Sequence, residues 1–324
     1  MNRTLYRAAA PAALLLLALT ACGGANEADA EVDADGATTG TTSSGEVLVD
    51  GSSTVQPLTA AAGELFREVS PDVNVSVATS GTGGGFEVFC QGATDISNAS
   101  RPIKDEEAQA CADAGIEFTE LRVATDALTV VVSADNDFIQ CLTTDELATL
   151  WGPDAEGTVT TWDQVNPEFP AEAIELYGPG TDSGTFDYFT DEINGEEGAS
   201  RTDYNASEDD NVIVQGVQGS TGALGYFGYT YFEENADSLK AVEVDGGEGC
   251  VAPSAETAAD GTYAPLARPL FIYVNNASFA DKTHVADFVK YYAENDVDIA
   301  EAAQFIPLNE EMSGELVDAV AAIG

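Results

Sequence analysis

The chain is poor in positive charge and nearly devoid of histidine. Its 324 residues include 11 Lys or Arg against 57 Asp or Glu, and a single imidazole, His284. A formal charge of -46 at pH 7 leaves no basic surface for nucleic acid or anionic lipid, because both are gripped through phosphates by Lys and Arg. One histidine rules out a His-rich metal centre, so no metal site is expected, and a Ser-His-Asp triad would have to use His284. The apolar run at Leu14 to Leu19 is too short to span a membrane. Cysteine is also scarce, with five residues. Even so, 44% of the chain is hydrophobic, enough for two lobes of ordinary domain size, each with its own core.

Arg3 and Arg7 precede that short apolar run, and Leu19-Thr20-Ala21-Cys22 ends it with small residues before a cysteine. This is the layout of a secretory signal over residues 1–21. The L-T-A-C ending resembles the bacterial lipoprotein box, which implies a lipidated Cys22 as the first residue of the mature chain. Nine basic and 57 acidic residues would then remain, a formal charge of -48. Residues 22–45 continue as Gly, Ala, Thr, Ser and acids without aromatics or apolar periodicity. Such a stretch cannot bury enough surface to offset its ordering entropy and reads as a disordered acidic tether. Asp33-Ala34-Asp35-Gly36 has the opening of a calcium loop but neither the remaining ligands nor the closing Glu.

From Glu46 onward, short apolar runs alternate with helical patterns. Strands are predicted at Val47–Val49, Val73–Ala78, Ile116–Val123, Leu128–Val132, Ile174–Tyr177, Ala223–Phe227 and Leu270–Val274. Between them fall helices such as Leu58–Val69, Phe86–Cys90, Lys104–Ala114, Phe186–Ile193 and Ser278–Ala293. The class is α/β. Leu128–Val132 and Leu270–Val274 bracket a block of lobe size and read as paired hinge strands. The first lobe is then discontinuous, residues 46–125 and 269–324, and the second is residues 126–268. Cys90, Cys111, Cys141 and Cys250 form an even set in an exported chain, with three possible pairings. Joining Cys90 to Cys111 and Cys141 to Cys250 keeps each bridge inside one lobe.

Three segments join a strand to a helix through Gly, Ser and Thr: Asp50-Gly51-Ser52-Ser53-Thr54-Val55, Ser80-Gly81-Thr82-Gly83-Gly84-Gly85-Phe86, and Gly178-Pro179-Gly180-Thr181-Asp182-Ser183-Gly184-Thr185-Phe186. Each offers hydroxyls and the free N–H groups of a helix start, which suits a small anion. None carries the Lys of a nucleotide-binding P-loop. A fourth segment, Thr94-Asp95-Ile96-Ser97-Asn98-Ala99-Ser100-Arg101-Pro102-Ile103, supplies Arg101 and Asp95. Arg101 either meets an oxyanion with its planar fork or pairs with a nearby acid. Asp95 is either a buried structural acid or an acceptor for a ligand proton, which would favour protonated phosphate over sulfate.

In this order and spacing the four segments, with Gly225-Tyr226-Phe227-Gly228-Tyr229 and Phe305-Ile306-Pro307-Leu308, closely resemble the phosphate-binding lipoprotein of the bacterial high-affinity phosphate ABC transporter. The resemblance runs from about Glu46 to Gly324. It implies a two-lobed periplasmic-binding-protein fold of the type with two crossovers (type II), closing by hinge motion over a dehydrated phosphate and delivering it to transmembrane permease subunits. It further implies donors at Ser53, Thr54, Val55 and at Ser80 or Thr82, a proton acceptor at Asp95, a clamp at Ser183, Gly184 and Thr185, and a cation at Arg101. The expected protein is extracytoplasmic, lipid-anchored to the cell membrane, monomeric, without cofactor and not an enzyme. The competing readings are a binding protein for another oxyanion such as sulfate or molybdate, a secreted phosphatase using Ser183, and an adhesion or signalling lipoprotein. Gly180-Thr181-Asp182-Ser183-Gly184 is not a nucleophile elbow, and His284 lies on a charged helical stretch.

Overall fold

A computed structural model describes residues 43–181 and 183–323. The signal-like segment, Cys22 and residues 22–42 of the expected tether lie outside the described residues. Among the described residues no helix is long and apolar enough to cross a membrane.

The first half of the fold runs β1 (Gly45–Gly51), α1 (Gln56–Val69), β2 (Val73–Val77), α2 (Gly81–Phe89), β3 (Ile96–Ala99), α3 (Asp105–Ala114) and β4 (Phe118–Ser133). Next come β5 (Cys141–Thr143), α4 (Thr144–Trp151), β6 (Glu175–Gly178), α5 (Gly184–Asn194), β7 (Asn205–Ala206), α6 (Asp210–Gln218), β8 (Ala223–Gly228) and α7 (Tyr229–Glu234). The last part holds β9 (Leu239–Ala241), β10 (Glu243–Asp245), β11 (Cys250–Val251), α8 (Ala255–Ala259) and β12 (Ala267–Asn275). It ends with α9 (Asn276–Asp281), α10 (Thr283–Glu294), α11 (Asp296–Ala302) and α12 (Glu310–Ala321).

The strand β4 organises the whole. From Val123 to Ser133 every residue is buried, the continuous pattern of a strand covered on both faces. Its first part, Phe118–Ala127, pairs antiparallel with β12, and Leu128–Val132 pairs antiparallel with β8. The resulting sheet has the order β2-β1-β3-β12-β4-β8-β6-β7, with β9 added alongside β4, and β11-β10-β5 form a second, three-stranded sheet. The two strands expected at Ile116–Val123 and Leu128–Val132 are therefore one. Thr125 and Asp126, whose polarity reads as a break, lie inside the strand and are buried at 0% and 8% exposure. Asp126 stands opposite Arg268 in the β4–β12 register, so an ion pair keeps it there. The partner of Leu270–Val274 is also not Leu128–Val132 but the segment from Thr119 to Ala124.

Two large apolar cores flank this junction. One draws on Val47 to Ala124 together with Leu270 to Val320, and the other on Leu128 to Leu266. Smaller clusters, one around Phe86 and Phe89 and another around Ile213 and Phe227, cover other parts of the sheet. A group of Ala127, Tyr229, Ala258 and Ile306 sits at the crossing itself.

Two elements differ from the sequence expectation for identifiable reasons. Helix α2 starts at Gly81, not near Phe86. Its glycines let it lie on β1, since a Cβ on Gly85 would stand 2.4 Å from Gly51 Cα. The helix expected over Ser278–Ala293 is split into α9 and α10, with Lys282 extended between them and its ammonium turned onto Asp95 at 2.6 Å.

Cys90 is bonded to Cys111 and Cys141 to Cys250, the pairing that the lobe argument favours. The second bridge closes a separation of 109 residues, against 21 for the first. Constraint of the unfolded chain grows with the loop closed. Replacing Cys141 and Cys250 by Ser should therefore lower stability by about 4–5 kcal/mol, and replacing Cys90 and Cys111 by about 3 kcal/mol. Urea unfolding followed by tryptophan fluorescence is the measurement, because both tryptophans, Trp151 and Trp162, lie in the core of the Cys141–Cys250 half.

Candidate functional site

Where the strands β1, β3 and β6 end, the chain turns into loops and helix starts that converge on a cavity of about 510 Å³. Ser52, Ser53 and Thr54 enter it from the β1–α1 turn, and Gly81, Thr82 and Gly83 from the first turn of α2. Neither α1 nor α2 has a side-chain cap; in α1 the Gln56 amide is bonded to the Ser52 carbonyl at 3.1 Å and Pro57 has no N–H, so the free amides at the positive end of a helix dipole come chiefly from the glycine-rich start of α2. The hydroxyls of Thr82 and Ser100 lie 3.1 Å apart, and the Ser100 amide donates to Thr82 Oγ1 at 3.3 Å. That pairing aligns both hydroxyls on the cavity wall that Thr82 and Ser100 share.

The opposite wall is the start of α5. Ser183 caps this helix through its hydroxyl, which accepts from the Thr185 amide at 3.2 Å. Gly184 faces Thr54 closely, so that a Cβ would stand 3.3 Å from Thr54 Oγ1. Beyond it Asp187, Tyr188, Asp191 and Glu192, with Glu197 from the following loop, line the same cavity.

Arg268 also lines the cavity. Its Nε donates to Asp126 Oδ2 at 3.1 Å and its Nη2 to Thr54 Oγ1 at 3.0 Å. The guanidinium lies over the Tyr188 ring, 3.6 Å from its centroid, and Tyr188 is fixed by donating to the Pro265 carbonyl at 2.5 Å. Burial pushes the Asp126 carboxyl up, and Arg268 offsets only part of that rise.

Among the residues singled out by sequence, Ser53, Thr54, Thr82, Arg101 and Gly184 line this cavity. Of the alternatives Ser80 and Thr82, Thr82 is the one on the wall; Ser80 is exposed, with its amide bonded to Asp50 Oδ1 at 3.0 Å. Val55 is buried beneath the first turn of α1 as its N-cap residue. Thr185 lines a separate cavity of about 150 Å³ with Asp126 and Asp210. The Arg101 guanidinium is already committed: it makes two bonds to Glu107, at 2.8 and 2.7 Å, the ion-pair alternative for that residue.

Asp95 is not brought to the cavity. It is 1% exposed, and its carboxylate accepts from the Leu48 amide at 3.0 Å, Ser278 Oγ at 2.7 Å and Lys282 Nζ at 2.6 Å. Burial works to raise its pKa, but Lys282, the Leu48 amide and Ser278 outweigh it and the net shift is downward. These bonds tie β1 to the α9–α10 junction. His284 bonds the Glu46 carbonyl at 3.2 Å and is not among the cavity-lining residues.

Sequence reasoning missed Arg268, Tyr188, Ser100 and the acids of α5. A signal for Arg268 did exist, since it is one of few cations and lies beside Pro269, just before the strand predicted at Leu270–Val274.

The profile of the PBP superfamily domain matches residues 36–296. Protein SphX of Synechocystis sp. is 46% identical over 307 residues, 95% of this chain and 87% of its own length. Phosphate-binding protein PstS of Staphylococcus saprophyticus is 43% identical over 293 residues, 90% of this chain and 86% of its own. A crystal structure described as a possible phosphate binding protein from Planctomyces limnophilus superposes with a TM-score of 0.82 at 43% identity, covering 87% of this chain and 99% of that one. The chain belongs to the PBP superfamily and, within it, to the family that includes the phosphate-binding protein PstS and SphX.

Proposed function

We propose that this protein binds inorganic phosphate outside the cytoplasm and delivers it to the membrane-spanning subunits of an ABC importer. The observation that carries the reading is the convergence on one cavity of two uncapped helix starts, the Thr82–Ser100 hydroxyls, Gly184 and the Arg268 guanidinium. Together they supply short-range N–H and O–H donors and one cation for a tetrahedral oxyanion. The names of the relatives agree with that ligand.

In this reading residues 46–125 with 269–324 form one lobe and residues 126–268 the other, hinged where β4 and β12 pass between the two cores. Ser53, Thr54, Thr82 and Ser100 hold the anion from the first lobe, and the α5 start with Ser183, Gly184 and Thr185 closes from the second. Closure satisfies both sets of donors at once, so ligand binding shifts the population toward the closed form. The permease subunits read that form. Cys22 carries the lipid that holds the protein at the outer face of the membrane, and the protein acts as a monomer, without cofactor. We read it as a binding protein and not an enzyme: the Ser183 hydroxyl accepts from the Thr185 amide, and His284 is bonded to the Glu46 carbonyl rather than to Ser183.

Titration calorimetry with phosphate and with sulfate tests the reading. Phosphate should bind one to one and sulfate far more weakly; tight sulfate or molybdate binding, or no phosphate signal, would sink it. Arg268→Lys should weaken phosphate by about 10-fold or more, because an ammonium cannot keep the fork that meets Asp126 and Thr54 together. Arg101→Lys should cost less, since that guanidinium is held by Glu107.

Asp95→Asn should leave phosphate affinity within a few-fold of wild type and lower stability at pH 7 by about 2 kcal/mol. The Asp95 pKa is depressed by folding, so its stabilisation is present above the unfolded carboxyl range and is lost as pH falls through the folded value. The gap between wild type and variant in urea melts should therefore close below about pH 4.

A further inference from the structure

The start of α5 and the Asp126–Arg268 pair each face two cavities. Gly184 and Arg268 line the one described above, and Thr185 and Asp126 line a second of about 150 Å³. Asp126 Oδ2 accepts from Arg268, and Arg268 donates in turn to Thr54. A shift in the second cavity therefore reaches the first through side chains in direct contact.

The second cavity joins segments that are far apart in the chain. Gln304 and Ile306 line it from the segment between α11 and α12, and Asp210, Tyr229 and Thr230 line it from the starts of α6 and α7. Thr125 and Ile306 exchange both backbone hydrogen bonds, each at 3.0 Å, which fixes the first of these segments to β4 one residue before Asp126. Thr230 Oγ1 donates to the Gln304 carbonyl at 2.9 Å. Among the described residues Gln304 is the only non-glycine with a positive φ, 61°. A side chain makes that left-handed backbone costly, and it persists where its surroundings hold it. The Thr230 hydroxyl and the Thr125–Ile306 pairing are the contacts that hold it here.

We propose that this second cavity sets how tightly the cleft closes, the Thr230–Gln304 bond fastening the two lobes together and the Asp210 carboxylate opposing their approach. This rests on the hinged, phosphate-binding reading above and adds two affinity-setting residues outside the phosphate cavity, since neither Thr230 nor Asp210 lines it. Asp210 is half-buried and, among the described residues, takes part in no ion pair. The titratable and charged groups around it are Glu208 and Asp209 ahead of α6, Asp126 on β4 with Arg268 of β12 bound to it, and Tyr229 and Tyr231 on α7, where Glu233 accepts from Tyr229. The residues from Ala303 to Ile306 bring no charge. Burial, then Asp209, then Glu208 push the Asp210 carboxyl up to about 6. Enclosing the ionised form is therefore unfavourable. That penalty is full above about pH 6 and shrinks as pH falls from there toward the ordinary carboxyl range.

Calorimetry of the whole protein with inorganic phosphate, at pH 7.5 and at pH 5, tests the proposal. Phosphate changes its own ionisation over this range, but that change cancels in the ratio of variant to wild-type affinity at each pH. Thr230→Val should weaken phosphate about threefold at both pH values, and Thr230→Ser, which keeps the hydroxyl, should bind as the wild type does. Asp210→Asn should bind at least about threefold more tightly than the wild type at pH 7.5, with a smaller advantage at pH 5. A purely structural role would lower the melting temperature of these variants without moving affinity in opposite directions. Wild-type affinity in both Thr230→Val and Asp210→Asn would overturn the proposal and leave the phosphate reading intact. Weaker binding by Asp210→Asn, or an advantage equal at the two pH values, would overturn the role given to its charge. Equal losses in Thr230→Val and Thr230→Ser would overturn the fastening bond. Absence of phosphate binding by the wild type would overturn the phosphate reading and this inference with it.

Discussion

The contact between Arg268 and Asp126 is the constraint on which the site and the chain crossing both depend. The two residues face each other across β12 and β4, where the chain passes from one apolar core to the other. A carboxylate buried to 8% exposure in the middle of a strand is tolerable only beside a cation, and removing one partner of such a pair costs about 3–5 kcal/mol. A slip of one residue in this register would send both side chains to the opposite face of the sheet. The pair therefore fixes the register of the crossing, and the same guanidinium projects its remaining N–H groups toward Thr54 and the Tyr188 ring. Fold and site share one side chain.

The charge of -46 gives that side chain unusual weight. At long range this surface repels anions, although at physiological ionic strength the repulsion is screened over about 8 Å. What remains must act at contact. Four of the nine described cations are committed to ion pairs: Arg101 to Glu107, Arg201 to Asp203, Lys282 to Asp95 and Arg268 to Asp126. Backbone amides at helix starts are then the economical donors, because they bring partial positive charge without needing a counter-acid. The glycines serve the same end, letting α2 lie against β1 and Gly184 approach Thr54.

Much of this is legible in the sequence because it is local. Strand–turn–helix junctions at Asp50–Val55 and Ser80–Phe86 announce themselves by Gly, Ser and Thr between an apolar run and a helical pattern, and both lead to the cavity. The disulfide pairing follows from which block of chain each cysteine occupies. What is not legible depends on register and on side-chain direction. Thr125-Asp126 reads as a break until its partner across the sheet is known. Asp95 and Asp187 are each an acid next to a promising motif, and nothing along the chain says that one turns onto Lys282 and the other into the cleft. Arg268 marks the crossing in the sequence, but its value as the cation of the site appears only when Thr54, 214 positions away, comes within hydrogen-bond reach.

The two walls of the cavity are built for different tasks, and the capping pattern says which. Helices α1 and α2 start without side-chain caps, and Thr82 and Ser100 hold each other in place beside them. Their donors are therefore fixed by contacts within one wall, and an anion docking there meets groups that need no rearrangement. Helix α5 is different. Ser183 already satisfies its Thr185 amide, and the wall beyond is carboxylate. That side adds fewer unspent donors and more negative charge. Arg268 joins the two walls, bonded to Thr54 on the first and stacked on the Tyr188 ring of α5 on the second.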